Sequence, residues 1–319
     1  MGALVAERRF RAMGSDAHLV IVGGPDHLLD DAQRRVDGLE RLWSRFIETS
    51  EICELNRRAG EEVVVSVETA LLVERAIEAW RLTGGGFDPT VLGDVLRAGY
   101  DVSFDAMPDD KSPAVSNLLT GCTDIEVNGR TVRLPAGTGF DPGGIGKGLA
   151  ADIVIVELLA AGAAGVCVNL GGDLRVAGES PQGKAWTIAI EHPAIAEPVA
   201  LVGLEQGAIA TSTTLRRRWN VDGQARHHLI DPQTGEPSDS DLELCTVIAG
   251  EAWIAEVLDK AVLLRGSQRA FDIIDGTGVQ ALTIDAAGTI RITPGFQQFT
   301  GSVALPTDLG HLPRIETRS

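Results

Sequence analysis

The connections between the apolar segments are very short, and this limits what the chain can fold into more than any other feature. A β-type run at residues 165–170 is separated from the next such run by only the Gly-Gly pair at 171–172. The Asn-Gly pair at 128–129 and the Ala-Ala-Gly run at 286–288 lie in the same way between β-type runs. Turns this short join antiparallel neighbours, because parallel strands need a crossover of about a dozen residues.

Helical patterns are interspersed with these hairpins. Apolar residues recur every three or four positions over 26–46, 68–82, Gly148 to about 161, and 252–264. Helices and strands do not alternate in a strict βαβ order, so the pattern predicts an α+β fold with antiparallel sheets and packed helices rather than a doubly wound sheet. Residues 305–319 carry Pro, Gly and charge and are expected to form a loosely ordered tail.

The chain is strongly acidic, with a formal net charge of −17 and a sequence pI of about 4.7. Nucleic-acid binding requires a basic surface, so this balance argues against that class of function. No apolar run reaches the roughly 18 residues of a membrane span without a charge. The amino-terminal segment is too short and too charged for a secretion signal, so a cytoplasmic location is expected.

A glycine-rich run precedes the third predicted helix. Residues 143–148 read Gly-Gly-Ile-Gly-Lys-Gly. Glycine lets the backbone approach a ligand closely, and a helix start offers free N–H donors, so this run with Lys147 suits a pyrophosphate. Asp141 and Gly148 stand where a Walker A loop has glycine and a hydroxyl residue. A tight strand-to-helix turn with Lys147 in solvent is the alternative interpretation.

Two further loops carry possible chemistry. His227 and His228 lie on a short predicted strand over 226–231, closed by a turn at 231–235, and only one of them can enter a given pocket because strand residues alternate. A neutral histidine is a suitable base near pH 7. One packed and one exposed histidine beside a turn is the alternative. The loop over 84–90 is explained equally well by helix termination and an Asx-Pro turn.

Helix 252–264 is apolar except for Glu256, Asp259 and Lys260. The spacing places these three on one stripe, as expected for a lined site or a buried ion network. An ordinary surface Glu–Lys pair is the alternative. The segments 13–15 (Met-Gly-Ser) and 209–212 (Ile-Ala-Thr-Ser) either belong to a site or are plain loops.

Eight segments in this order and spacing resemble one family, the FAD:protein FMN transferases, also called ApbE-like flavin transferases. The likeness extends over about residues 10–266. The matching segments are 13–15, 44–56, 86–90, 141–152, 169–178, 209–212, 228–235 and 246–249.

The resemblance implies a single T-fold-related α+β domain, here over residues 10–304, that holds FAD in a cleft. Such enzymes move FMN from FAD to a threonine or serine hydroxyl of an acceptor protein, release AMP, and usually need Mg²⁺. A protein that binds FAD without turnover, and a pyrophosphatase that yields FMN and AMP, are the alternatives.

The resemblance also implies roles for individual residues. His228 is the expected base for the acceptor hydroxyl, with Thr211 nearby and Lys147 beside the phosphates. The expected FAD contacts are Met13, Phe46, Gly86, Phe87, Asp88, Asp141, Lys147 and Ile230.

The metal positions of the family match Gly144, Glu256, Asp259 and Lys260, with two departures. The family commonly has Asp at 256 and Thr at 260, and protonated lysine has no lone pair for a cation. Lys260 either swings away and leaves a weaker metal site, or replaces the metal and faces the pyrophosphate itself. The second interpretation is preferred, and it predicts either transfer that survives a chelator or no catalysis at all.

Overall fold

The protein is described here from a computed structural model, which describes residues 4–108, 110–111, 115–301 and 309. The chain divides into two compact units. Unit 1 comprises the described residues within Met1–Asp37, Lys147–Leu215 and Ser240–Ile315. Unit 2 comprises those within Gly38–Gly146 and Arg216–Asp239.

The described residues contain both helices and strands. The α-helices are α1 (Leu28–Trp43), α2 (Glu51–Arg57), α3 (Val67–Leu82), α4 (Leu92–Arg97), α5 (Gly146–Ala160) and α6 (Ala252–Leu264). The strands are β1 (Val5–Ala12), β2 (Ser15–Val22), β3 (Glu62–Val64), β4 (Asp110–Lys111), β5 (Glu126–Asn128), β6 (Thr131–Arg133), β7 (Gly165–Leu170), β8 (Asp173–Gly178), β9 (Trp186–Ile190), β10 (Ala200–Leu204), β11 (Gly207–Thr213), β12 (Arg218–Val221), β13 (Gln224–His227), β14 (Ile230–Asp231), β15 (Glu236–Pro237), β16 (Leu242–Ala249), β17 (Gln280–Asp285) and β18 (Ile290–Ile292).

Unit 1 is built on an eight-stranded sheet in the order β1-β2-β7-β8-β11-β16-β17-β18. Every neighbouring pair in it is antiparallel. Helix α6 packs on β8, β11 and β16. A buried apolar cluster joins this sheet to the β9–β10 pair and includes Val176, Val202 and Leu244. Removing these side chains from water stabilises the sheet.

Glycine makes the β7–β8 turn possible. Gly171 and Gly172 have φ values of 69° and 99°, a region that side chains with a Cβ rarely adopt. The Asn169 side chain accepts a hydrogen bond from the Gly172 N–H at 2.9 Å. The predicted hairpins at 171–172, 128–129 and 286–288 are therefore confirmed.

Unit 2 holds three small sheets, ordered β13-β12-β4, β14-β15 and β3-β6-β5. Its helices α2 and α3 begin at serine N-caps: Ser50 accepts from the Cys53 N–H and Ser66 from the Thr69 N–H. Such caps satisfy N–H groups that have no partner within the helix. Trp219 lies in an apolar cluster of this unit.

The α+β class expected from the sequence is confirmed, with local differences. The strand expected over 226–231 is interrupted after His227. Residues 209–212 are not a loop but lie in β11, in the interior of the large sheet. The single domain over 10–304 stays a prediction, and the 305–319 tail lies outside the described residues apart from Leu309. No described helix combines the length and hydrophobicity that a bilayer crossing requires.

Candidate active site

A buried cluster of charges lies in unit 1, at the polar stripe of α6. The side chains of Glu256 and Asp259 are fully buried, and Asp173, from the start of β8, is 4% exposed. The Lys147 ammonium lies 2.5 Å from Asp173 Oδ2 and 2.6 Å from Glu256 Oε1. The stripe forms a buried ion network, one of the interpretations that its sequence allowed, and Lys147 does not project freely into solvent.

Lys147 reaches this cluster because α5 begins directly against α6. The Gly148 N–H donates to Glu256 Oε2 at 2.7 Å. A Cβ at Gly148 would lie 2.4 Å from the Ala252 carbonyl oxygen, so no larger residue fits without movement of the backbone. The glycine that replaces the hydroxyl residue of a Walker A loop is thus required by close helix packing.

Lys260 also belongs to the cluster. Its ammonium donates to the Glu256 carbonyl oxygen at 2.8 Å and to Asp259 Oδ1 at 3.2 Å, while Glu256 Oε1 is 3.7 Å away. Burial raises the pKa of Asp259 to about 7, an effect that Lys260 opposes. Asp259 Oδ2 has no hydrogen-bond partner among the described residues.

This arrangement does not fit a resident divalent cation. Ammonium groups already lie against the carboxylates of Glu256 and Asp259, and lysine cannot ligate a metal. At an effective dielectric constant of about 20, like unit charges about 4 Å apart repel by about 4 kcal/mol, and a divalent ion doubles that. Within the described part of the chain, no group of three or more His, Cys, Asp or Glu side chains could hold a metal. A ligand role for Gly144 stays a prediction.

The segment 13–15 lies beside Lys147. It forms the turn between β1 and β2, in which Met13 has a φ of 51°. A Cβ at Gly171 would lie 2.7 Å from the Ser15 side chain and 3.7 Å from Lys147 Cδ. Two of the segments singled out in the sequence, 13–15 and 169–178, therefore meet at Lys147.

Thr211 forms a hydrogen bond with a threonine of the neighbouring strand. Its hydroxyl pairs with that of Thr246 on β16 at 2.9 Å. Neighbouring strand residues point to opposite faces, so Thr211 lies on the face opposite Ser212. Ser212 is the residue beside the Asp259 carboxylate, whose pKa it lowers. A catalytic role for Thr211 stays a prediction.

In unit 2, side chains hold the loop that leads to the glycine-rich run. Asn56 Nδ2 donates to the Phe140 carbonyl at 3.0 Å, and its Oδ1 accepts from the Phe140 N–H at 2.6 Å. The Asp141 carboxylate accepts from the Gly143 N–H at 2.8 Å and pairs with Arg45 at 3.3 Å. Asp141 therefore orders its own loop, and a phosphate contact by it stays a prediction.

Phe46 belongs to a group of aromatic rings in the same unit. Its ring centroid lies 5.8 Å from that of Tyr100, which in turn lies 5.4 Å from Trp219. The Arg45 guanidinium lies 4.1 Å from the Phe46 centroid and 4.6 Å from the Tyr100 centroid. Phe46 is 40% exposed, so part of this surface is open to a planar ligand.

The loop of Gly86, Phe87 and Asp88 is held by hydroxyl residues of unit 2. The Phe87 N–H donates to Thr83 Oγ1 at 2.9 Å, and Phe87 itself is buried. Asp88 Oδ1 accepts from the N–H and hydroxyl of Thr90. The Asx turn offered as the alternative is therefore present, and FAD contacts here stay a prediction.

The two adjacent histidines have different environments. His227 Nε2 bonds to the Ser238 carbonyl at 3.0 Å, and its Nδ1 accepts from the Leu229 N–H at 3.3 Å. Burial lowers the pKa of His227, and both of its ring nitrogens are engaged with the backbone. His228 follows the end of β13, and Ile230, which is buried, begins β14. The catalytic role of His228 stays a prediction.

The segments singled out in the sequence lie within a region that matches one protein family. A sequence profile of the ApbE family matches residues 13–283. The chain belongs to the ApbE family. The resemblance drawn from the eight segments is thus confirmed.

Other ApbE proteins are similar along most of their length. The FAD:protein FMN transferase of Vibrio cholerae is 27% identical over 88% of this chain and 84% of that protein. The protein of the same name from Escherichia coli K12 is 30% identical, over 85% and 81%. The crystal structure of the ApbE protein from Thermotoga maritima superposes with a TM-score of 0.83 at 26% identity and covers 94% of this chain and all of that one. The flavin transferase ApbE from Vibrio cholerae gives 0.79 at 25%, over 93% and 99%.

The predicted ApbE site did not include several residues of these clusters, among them Arg45, Tyr100 and Asp173. Asp173 had a signal, because it directly follows the Gly-Gly turn of a matching segment. Arg45 also lies in a matching segment, between Ser44 and Phe46. Tyr100 is the single tyrosine of the chain and lies outside every matching segment, so only the folded structure reveals its contact with Phe46.

Proposed function

We propose that this chain is an FAD:protein FMN transferase, which moves FMN from FAD to a threonine or serine hydroxyl of an acceptor protein and releases AMP. Its membership of the ApbE family over residues 13–283 carries this proposal. The similar proteins from Vibrio cholerae and Escherichia coli bear that name. A cytoplasmic location stays a prediction.

The reaction is a displacement at phosphorus. The acceptor oxygen forms a bond to the FMN-side phosphorus, and the bond from that phosphorus to the bridging oxygen breaks. The bridging oxygen leaves with AMP, and the hydroxyl proton passes to a base. Such transfer depends mostly on positioning and on neutralising the phosphate charge.

The residues of this chain suit these tasks. His228 is the proposed base, because both ring nitrogens of its neighbour His227 are engaged in hydrogen bonds with the backbone. Lys147 supplies a positive charge in the first turn of α5, at the end of the helix whose dipole favours an anion. The aromatic surface of Phe46 and Tyr100 suits a planar ring of FAD.

Magnesium is the cofactor that the family resemblance implies, and the lysine-filled cluster around Glu256 does not fit it. We therefore assign the metal no step. Lys147 and the amino-terminal end of the α5 dipole are the proposed sources of charge neutralisation.

The test is covalent labelling. The purified chain is incubated with FAD and a candidate acceptor protein, and the acceptor is examined after denaturation by in-gel fluorescence and mass spectrometry while AMP is quantified. Acceptor that gains the mass of an FMN residue, with an equal amount of AMP, supports the proposal. Free FMN and AMP without labelling would identify a pyrophosphatase, and FAD retained without turnover would identify a carrier.

A base variant provides the control for chemistry. His228→Gln is expected to lower transfer by about 100-fold or more while FAD affinity is unchanged. Transfer at the wild-type rate by this variant would exclude His228 as the base.

A further inference from the structure

The α6 cluster contains two cations of its own, in positions that a metal ion would otherwise need. Glu256 Oε1 lies 2.6 Å from the Lys147 ammonium and 3.7 Å from that of Lys260. The other Glu256 oxygen accepts from the Gly148 N–H. Glu256 therefore has no oxygen that faces a cation-sized gap free of positive charge.

Lys260 is held by hydrogen bonds and keeps a small solvent-accessible surface. Its side chain is 13% exposed, while its partners Glu256 and Asp259 are fully buried. Two of its three N–H donors are used, on the Glu256 carbonyl and on Asp259 Oδ1. Within the described residues the third donor has no hydrogen bond, although Glu256 Oε1 lies 3.7 Å from the ammonium, and we infer that it can bind a ligand oxygen.

We propose that Lys260 takes the place of a divalent cation in this chain, so that FAD binding and FMN transfer rely on the ammonium groups of Lys147 and Lys260 and need no Mg²⁺. This inference rests on the proposed function for its catalytic half. An ammonium neutralises phosphate charge without the octahedral oxygen shell that Mg²⁺ demands. Its position is set by two hydrogen bonds and not by coordination.

The first experiment measures metal binding without reference to activity. Mn²⁺ is titrated into the full chain, with and without FAD, and free Mn²⁺ is followed by electron paramagnetic resonance; FAD alone is the blank. The variants are Lys260→Thr, Lys260→Arg and, as the matched surface control, Lys184→Thr at an exposed position. Wild type, Lys260→Arg and Lys184→Thr are expected to bind no Mn²⁺ beyond the blank. Lys260→Thr is expected to gain one site, because two carboxylates lose an ammonium and gain a hydroxyl oxygen.

The second experiment measures transfer in EDTA and in Mg²⁺. Wild type is expected to transfer FMN at the same rate in both. The rate of Lys260→Thr is expected to fall about 100-fold in EDTA and to recover in Mg²⁺. Lys260→Met, which keeps a long apolar stem, replaces the threonine variant if that one does not fold.

The outcomes separate the two proposals. Stoichiometric Mn²⁺ binding by wild type, or wild-type transfer abolished by EDTA and restored by Mg²⁺, would overturn the inference. Failure of Lys260→Thr, or of the Lys260→Met variant that replaces it, to gain Mn²⁺ would also overturn it, because Lys260 would then not be what excludes the metal. If no protein transfers FMN under any condition, the proposed function fails, and the Mn²⁺ titration still decides the metal question.

Discussion

Lys147 lies between two buried carboxylates. Its ammonium contacts Asp173 and Glu256 within 2.6 Å. Removing one member of a buried ion pair leaves the remaining charge without compensation, which is more costly than losing a surface pair. Lys147 is therefore important to the stability of unit 1 as well as to the chemistry proposed for it.

We expect Lys147→Met to lower the free energy of unfolding by about 3 kcal/mol. Urea titration followed by circular dichroism measures this, and Lys184→Met at an exposed position is the control. Equal stability of the two variants would show that the Lys147 contacts contribute little.

Tyr100 gives a second expectation for a single residue. Its ring extends the surface of Phe46, so Tyr100→Leu is expected to weaken FAD binding by about 10-fold, the equivalent of one aromatic contact. Quenching of flavin fluorescence measures the affinity. Tyr100→Phe keeps the ring and is expected to bind like wild type; equal weakening in both variants would argue against stacking.

At the scale of elements, the contact between α5 and α6 positions the charge cluster. Gly148 allows close approach, and Asp152 on α5 accepts hydrogen bonds from the Ala252 and Trp253 N–H groups at 2.9 Å each. Glu251, the residue at the N-cap of α6, makes no side-chain capping bond. A carboxylate from another helix thus caps α6.

Gly148→Ala is expected to destabilise the protein by about 2 kcal/mol, although alanine favours helices, because its Cβ would overlap the Ala252 carbonyl. Gly250→Ala is the matched control, since a Cβ there meets nothing within 4 Å. Thermal unfolding of both variants provides the comparison. A neutral Gly148→Ala would mean that the helices separate easily.

Asp152 gives the pH expectation. Burial raises its pKa from 3.8 to about 6, although the two backbone hydrogen bonds and the charge of Arg175 act to lower it. Between these two pKa values the folded state therefore binds more protons than the unfolded state. The stability that protonated Asp152 contributes is complete below about pH 4 and is lost as the pH rises through about 6. Relative to Asp152→Asn, wild type is expected to lose about 3 kcal/mol over that interval. Denaturant titrations at pH 4 to 7 measure it, and parallel profiles of the two proteins would contradict it.

At the scale of the whole molecule, FAD binding is expected to stabilise the folded chain. At a concentration about 100 times its dissociation constant, a ligand adds about 2.7 kcal/mol to the free energy of unfolding. With FAD, FMN and AMP at equal concentration, FAD is expected to raise the melting temperature most, because it alone contains both the FMN and the AMP portions. A larger shift from AMP alone would indicate a nucleotide-binding protein without flavin preference.

The sequence predicts contacts between residues that are close along the chain better than contacts between distant segments. The stripe of Glu256, Asp259 and Lys260 was predictable because helical periodicity is local. Lys147 and Asp173 join that stripe through α5 and the β7–β8 turn, and nothing within either segment specifies the meeting. The interior position of β11 likewise depends on its pairing with β8 and β16.

The hydrogen bonds of Asn56 make the protein sensitive to deamidation. Its side-chain amide donates to the Phe140 carbonyl and accepts from the Phe140 N–H. Spontaneous deamidation would turn the donor end into a carboxylate oxygen and set it against the Phe140 carbonyl, so stored protein would lose the anchor of its glycine-rich loop without any change in sequence length or fold.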